Sequence, residues 1–88
     1  MTAEEFSTEL REKGFCDLVV VDRQPNGALD LHAHPFESRA LILAGEITLV
    51  VNHQATSFRA GEVFHLARDT VHAQRYGPSG VRYLVGRK

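Results

Sequence analysis

The spacing of hydrophobic residues along the chain changes once, close to residue 14. Before that point, Thr2 begins a Thr-x-x-Glu capping box, and Phe6 and Leu10 recur at the i, i+4 spacing of one helix face. Gly14 follows, and glycine commonly occupies the position just past the end of a helix. The pattern therefore predicts one short helix over residues 3–13.

From Phe15 onward the hydrophobic period is two, and short segments rich in Val, Ile, Leu, Phe and Thr alternate with turn residues. The predicted strands are, in order, Phe15–Asp22, Ala28–His34, Ser38–Ala44, Ile47–Val51, Gln54–Arg59, Glu62–Leu66, Val71–Arg75 and Val81–Gly86. Asn52-His53 is the tightest hairpin candidate. Because short antiparallel strands must cover their edges, we predict an all-β fold: a small antiparallel β-barrel or jelly roll with one short N-terminal helix.

The composition bounds the fold and excludes several functions. With 88 residues, 43% of them hydrophobic, the chain is expected to form one core, with the helix in residues 1–14 and a single barrel domain in residues 15–88. The net charge is −1 and the basic residues are scattered, so we expect no nucleic-acid partner. No apolar run is long enough to cross a membrane. The single Cys16 cannot form an intrachain disulfide, and the first residues do not resemble a signal peptide, so a cytoplasmic location is expected.

Histidines supply the candidate chemistry. The chain has five, and His32 and His34 are separated by one residue. On a strand, residues i and i+2 face the same side, so two imidazoles can converge on one metal ion. The pair alone is a weak signal, because a motif this short often arises by chance. His53, at the predicted hairpin tip, is expected to be solvated.

The residues that follow this histidine pair continue a longer sequence motif with defined spacing. After His32 and His34 the chain has Gly45, and an interval of fifteen residues leads to Gly61, which is followed by His72. In this order and spacing, residues 25–86 resemble the two sequence motifs of the cupin family. The resemblance implies a cupin barrel in which the three histidines bind a divalent transition metal ion such as iron, manganese, nickel, copper or zinc. Imidazole ligands alone do not choose among these metals.

The fourth metal ligand is not defined by this register. Ser38 occupies the position where the family usually has a metal-binding Glu, and Glu37 stands one residue earlier. The strand parity of Glu37 is opposite to that of the two preceding histidines, so an unbroken strand would turn its carboxylate away from the ion. A bend at Pro35 would allow Glu37 to bind. Both outcomes are kept open.

The second cupin motif, which runs from Gly61 through His72, also departs from the family pattern. Gln74 shares the strand parity of His72 and is a further candidate, either as a neutral oxygen ligand or as a hydrogen-bond partner of bound water. The segment Ala67-Arg68-Asp69 replaces the usual Pro-x-Gly turn, and Tyr76 replaces the usual Asn. The three histidines remain the core of the candidate site.

Two functions are consistent with this resemblance, since cupins include enzymes and non-catalytic proteins and a fold does not define a function. The first is a metal-dependent enzyme acting on a small polar molecule. The second is a non-catalytic binding module that senses a small molecule or a metal. In both cases the partner is a small-molecule ligand or substrate. Family habit also implies a homodimer, in which outer apolar residues would be covered: Leu18, Val20, Leu49, Val51 and Leu84.

Overall fold

A helix, α1, covers Ala3–Glu12 at the start of the chain in the computed structural model, which describes residues 1–88. The Thr2 hydroxyl accepts a hydrogen bond from the Glu5 backbone N–H, and the Glu5 carboxylate accepts one from the Thr2 N–H. Gly14 then adopts a φ of +84°, a left-handed conformation that often follows a helix. The predicted helix is confirmed, one residue shorter than expected. No helix in the structure is long and apolar enough to cross a membrane.

The rest of the chain forms six strands that pair only in the antiparallel sense. They are β1 (Cys16–Arg23), β2 (Ala28–His32), β3 (Ser38–Val51), β4 (Gln54–Arg59), β5 (Val63–Leu66) and β6 (His72–Arg87). The predicted fold class, an all-β jelly roll with one short helix, is confirmed. The predicted Asn52-His53 hairpin is also confirmed, because both residues have positive φ and connect β3 to β4.

Two long strands, β3 and β6, each contribute to both layers of the jelly roll. The first half of β3 pairs with β5 and with the second half of β6, and the second half of β6 also pairs with β1. The second half of β3 pairs with β4 and with the first half of β6, which also pairs with β2. The layer orders are therefore β1-β6-β3-β5 and β2-β6-β3-β4.

The sequence predicted eight strands because it divided each long strand in two, which is wrong. The predicted break at Gly45 is a bend inside β3, where the pairing with β6 shifts in register on both sides. Gly45 has a φ of +77° and faces Gly80, which has a φ of +74° and lies inside β6. A glycine at such a bulge redirects a strand without ending it.

The main core lies between the two layers, and a smaller one lies under the helix. Residues of both layers fill the first: Ala40, Ile42, Ile47, Leu49, Phe64, Leu66, Tyr76, Val81, Tyr83 and Val85. The smaller core joins Phe6 and Leu10 of α1 to Phe15, Leu41 and Leu84. Leu49 and Leu84 are therefore buried, and their predicted place on an outer apolar surface is wrong. Leu49 faces the opposite layer, and Leu84 faces the helix.

The close approach at the bend predicts a large loss of stability in Gly45→Ala. A Cβ at residue 45 would lie 2.1 Å from the Gly80 carbonyl oxygen, so the backbone of one long strand would have to move. Gly61→Ala is the matched control, since Gly61 also has positive φ (+90°) but has no atom within 4 Å of an added Cβ. We expect Gly61→Ala to cost about 1 kcal/mol and Gly45→Ala roughly 2 kcal/mol more, measured by urea unfolding. Equal losses would show that the contact with Gly80 is not a constraint.

Candidate metal centre

The candidate site forms where β2 ends beside the start of β6. His32 is the last residue of β2 and lies directly opposite His72, the first residue of β6. The predicted strand through His34 is wrong, because β2 ends at His32. Pro35 lacks a backbone N–H and restricts the residue before it, so the segment around His34 leaves the ladder. His34 therefore reaches the site from the connection between β2 and β3.

The structure brings these three histidines together, as the sequence predicted. Their ring centroids are 5.0 Å apart for His32 and His34, and 4.2 Å apart for His32 and His72. His34 and His72 are 5.5 Å apart. One ring nitrogen of each residue lies within 4.8 Å of the other two. Ligand nitrogens that share one ion at about 2.1 Å lie about 3.0 to 3.4 Å apart, so small side-chain rotations would complete the set.

Backbone carbonyls determine which ring nitrogens are free in two of the histidines. Nδ1 of His32 lies 2.7 Å from the Asp30 carbonyl oxygen, and Nδ1 of His72 lies 2.9 Å from that of Thr70. A carbonyl oxygen only accepts hydrogen bonds, so each Nδ1 carries the proton and the neutral ring presents its Nε2 lone pair. Nε2 of His72 is buried and has no hydrogen-bond partner. This arrangement is typical of histidines that bind metals, whose second nitrogen is held by a carbonyl.

The third histidine, His34, is held from two sides. Its carbonyl oxygen accepts a hydrogen bond of 2.8 Å from the Asp69 N–H, and its ring stacks on Phe36 with centroids 4.9 Å apart. Asp69 has a φ of +62° and stands where the cupin pattern has a glycine; Asp is one of the few other residues that tolerate this conformation. Burial, followed by the charges of His32 and His72, lowers the pKa of His34 from its usual 6.5. The neutral, metal-binding form is thus favoured.

A cavity of about 160 Å³ lies in front of the histidines, between the two layers. It is lined by Val21, Arg23, Leu29, His32, His34, Phe36, Ser38, Phe64, Leu66, His72, Gln74, Tyr83, Val85 and Arg87. Gln74 is buried, and its amide N–H donates to the Tyr76 hydroxyl at 3.2 Å. Gln74 therefore lines the same cavity as His72, as their shared strand parity predicted.

The other candidate, Glu37, does not face the cavity. Its Oε2 lies 2.6 Å from Nε2 of His65, on a separate surface depression that Arg39 and Lys88 also border. The hydrogen bond with His65 lowers the pKa of the Glu37 carboxyl. The bend at Pro35 leaves Glu37 with the orientation that its strand parity predicted, away from the histidines. To bind the metal ion, Glu37 would have to break its hydrogen bond with His65 and turn its side chain to the other face of the strand.

Sequence reasoning missed several residues of the cavity. Phe36, Tyr83, Arg23 and Arg87 all line it, and none was a candidate. Strand parity could have identified Tyr83, because it alternates with the outward-facing Arg82 on β6. The same parity puts Arg87 on the face of Tyr83 and Arg23 on the face of Val21, but it does not show that both arginines border one cavity, which depends on how β1 and β6 close the barrel.

Known proteins resemble this chain in structure and not detectably in sequence. No protein-family model matches it, and no curated protein matches it. The cupin domain of Schizosaccharomyces pombe Cnp3 has a TM-score of 0.72 and 19% identity, covering 80% of this chain and 53% of that one. A Klebsiella pneumoniae protein with a double-stranded β-helix domain has a TM-score of 0.69 and 22% identity, covering 80% and 64%. The DMSP lyase DddQ from Ruegeria pomeroyi has a TM-score of 0.73 and 25% identity, covering 81% and 36%.

These similarities show that the chain is a small domain with the cupin fold, and they confirm the expected fold. At these identities they show the fold alone. The chain spans about half to two thirds of the first matched structures, and just over a third of the lyase. The residues of its own cavity must therefore carry any argument about function.

The lowered pKa of His34 predicts how the stability of the metal-free protein depends on pH. At pH values just below 6.5, His34 binds more protons in the unfolded chain than in the folded one, so the free energy of unfolding should fall as pH drops below about 6.5. His34→Gln removes the titrating ring and should make this dependence shallower, whereas His53→Gln should leave it unchanged. Urea unfolding at several pH values checks the slopes. An unchanged slope in His34→Gln would contradict the assignment.

Proposed function

We propose that this cupin-fold chain binds a divalent transition metal ion through His32, His34 and His72, and that it acts as a metal-dependent enzyme on a small polar molecule. The observation that carries the proposal is the Nε2 atom of His72, which is buried beside the other two rings without a partner. A buried polar atom without a hydrogen bond is costly, by about 1–3 kcal/mol. A metal ion would satisfy this nitrogen together with its two neighbours.

The three neutral imidazoles fit iron, manganese, nickel, copper or zinc, and their chemistry does not select one of these ions. When bound, such an ion supplies a Lewis acid and can lower the pKa of a bound water. Within the chain, the carbonyls of Asp30 and Thr70 hold two rings in the metal-binding tautomer. Gln74 is placed to orient a water or a ligand, or to serve as a further metal ligand.

A non-catalytic binding module is the second candidate, and the composition of the cavity favours it. No Asp or Glu lines the cavity, so the usual carboxylate base for proton transfer is missing. Burial raises the pKa of Tyr83, the one phenol in the lining, which keeps it protonated at neutral pH. Elemental analysis and mass spectrometry of the purified protein distinguish the two: stoichiometric metal with an exchangeable water favours the enzyme, and an organic ligand without metal favours the module.

Metal binding should stabilise the protein through the three histidines. At a free metal concentration of about 100 times the dissociation constant, the stabilisation is about 2.7 kcal/mol, which raises the melting midpoint of a domain this size by roughly 10 °C or more. His32→Ala should lose most of this shift, and His53→Ala should retain it. Thermal melts with Zn²⁺ or Co²⁺, with and without chelator, measure the difference. Equal shifts in wild type and His32→Ala would exclude the three-histidine site.

The rise in melting midpoint caused by the metal should also depend on pH, because protons compete with the metal for the imidazoles. It should be present at neutral pH and decline as pH falls below about 6, with protons released on loading.

A homodimer and a cytoplasmic location complete the proposal, and both are inferred from the sequence. The structure supports a dimer surface different from the predicted one. Strand β2 pairs only with β6, so its other edge is open, and Leu29, Leu31 and Val71 beside it are 42%, 71% and 57% exposed. Proteins usually cover an exposed apolar strand edge, and a second copy of this chain would do so.

Leu31→Asp should therefore give a monomer, because it places a charge in the centre of the proposed dimer surface. Val20→Asp puts the same charge on β1, where Val20 is 55% exposed, and should leave the dimer intact. Light scattering at micromolar concentration measures the mass of each variant. A monomeric wild type, or a dimer that survives Leu31→Asp, would contradict the proposed surface.

A further inference from the structure

The polar side chains that line the cavity are all positive or neutral, and the rest of the lining is hydrophobic. Besides the three histidines, its ionisable side chains are Arg23, Arg87 and Tyr83, and no carboxylate is among them. The chain as a whole has slightly more acidic than basic residues, with eleven Asp and Glu against ten Lys and Arg. The positive character of the cavity is therefore local and does not follow from the net charge.

Neither cavity arginine forms an ion pair. Both are exposed residues at the edge of the cavity, and three arginines that do not line it do form ion pairs: Arg39 with Glu9, Arg59 with Glu46, and Arg82 with Asp22. Arg82 lies on the same strand as Arg87 and faces the opposite side of the sheet. A guanidinium is always charged in proteins, and it offers five N–H donors in a fixed plane. No carboxylate of the chain pairs with Arg87 or Arg23.

Arg87 is held beside the histidines by stacking. Its guanidinium carbon lies 4.9 Å from the ring centroid of Phe36, and that ring stacks in turn on His34. Its charge contributes to lowering the pKa of His34, as expected for a cation close to the imidazole. The contact with an aromatic ring engages the charge of Arg87 and leaves its N–H donors available for an anion.

Arg23 brings a second positive charge to the cavity lining. It ends β1, and its charge acts to lower the pKa of the Tyr83 hydroxyl, against the larger effect of burial. The space between these groups, about 160 Å³, is close to that of a cavity of about 150 Å³ known to hold benzene. The ligand must therefore be small.

From this charge and size we propose that the cavity binds a small carboxylate, with Arg87 as the residue that binds its negative charge beside the histidines. Arg23 strengthens binding through its positive charge in the same lining. The inference rests on the proposed function in one respect: it names the ligand class of that same site. The arginines belong to the protein with or without a metal ion, so the two proposals can be tested separately.

The probe is malonate, a small dicarboxylate, compared with its neutral analogue malonamide. Both are titrated into ¹⁵N-labelled full-length protein and followed by NMR, first after chelator treatment and removal of the chelator, and then after loading with Zn²⁺. We expect malonate to shift the amide signals of residues around the cavity in both states, and malonamide to leave them unchanged. The metal-free state isolates the arginines, because malonate can bind a metal ion directly.

Arg87→Gln should weaken malonate binding to the metal-free protein about tenfold, and Arg23→Gln by less. Arg75→Gln is the matched control: it removes the same charge from an exposed position of β6 outside this cavity, and should change binding by less than about twofold. Equal shifts with malonate and malonamide in the wild type, or equal affinities in Arg87→Gln and Arg75→Gln, would overturn the inference. A protein that binds malonate through Arg87 but never Zn²⁺ would overturn the metal site alone.

Discussion

The pairing of β3 with β6 is the constraint on which the rest of the structure depends. Strands β1 and β2 are held only by β6, and β4 and β5 only by β3. Each layer is therefore built outward from one half of the same two-stranded ladder. The bend where Gly45 meets Gly80 turns this ladder from one layer into the other, and so sets how the layers enclose the core and the cavity.

The chemistry of the site depends on its position at the ends of two paired strands. His32 and His72 stand where β2 and β6 meet at one end of the barrel, and there the carbonyls of nearby residues are free to accept from their rings. Three imidazoles packed this closely would repel one another if charged, and burial adds to the cost. The fold thus maintains neutral nitrogen donors beside a cavity whose other charged groups are cationic, a combination suited to a metal ion and an anion together.

The sequence predicted the parts of this arrangement that depend on local spacing. The helix, the Asn52-His53 turn and the grouping of the three histidines follow from capping, turn chemistry and motif register. The bend at Gly45 could not be distinguished from a turn, because glycine serves both and the pairing partner decides. The burial of Leu84 depends on the helix packing against that face, and the place of Arg87 depends on closure of the barrel. Neither is encoded in neighbouring residues.

The position of β6 along the chain has a consequence for how the domain folds. Its partners include β1, and Cys16 pairs with Arg87, so contacts between the start and the end of the domain are part of the native ladder. Closing such long loops costs entropy before the contacts form, and domains dominated by distant contacts fold in about milliseconds to seconds. Because both layers need β6, neither can be completed while the ribosome still holds that strand. Until it is released, the earlier strands expose unpaired edges, which are the surfaces most prone to aggregate.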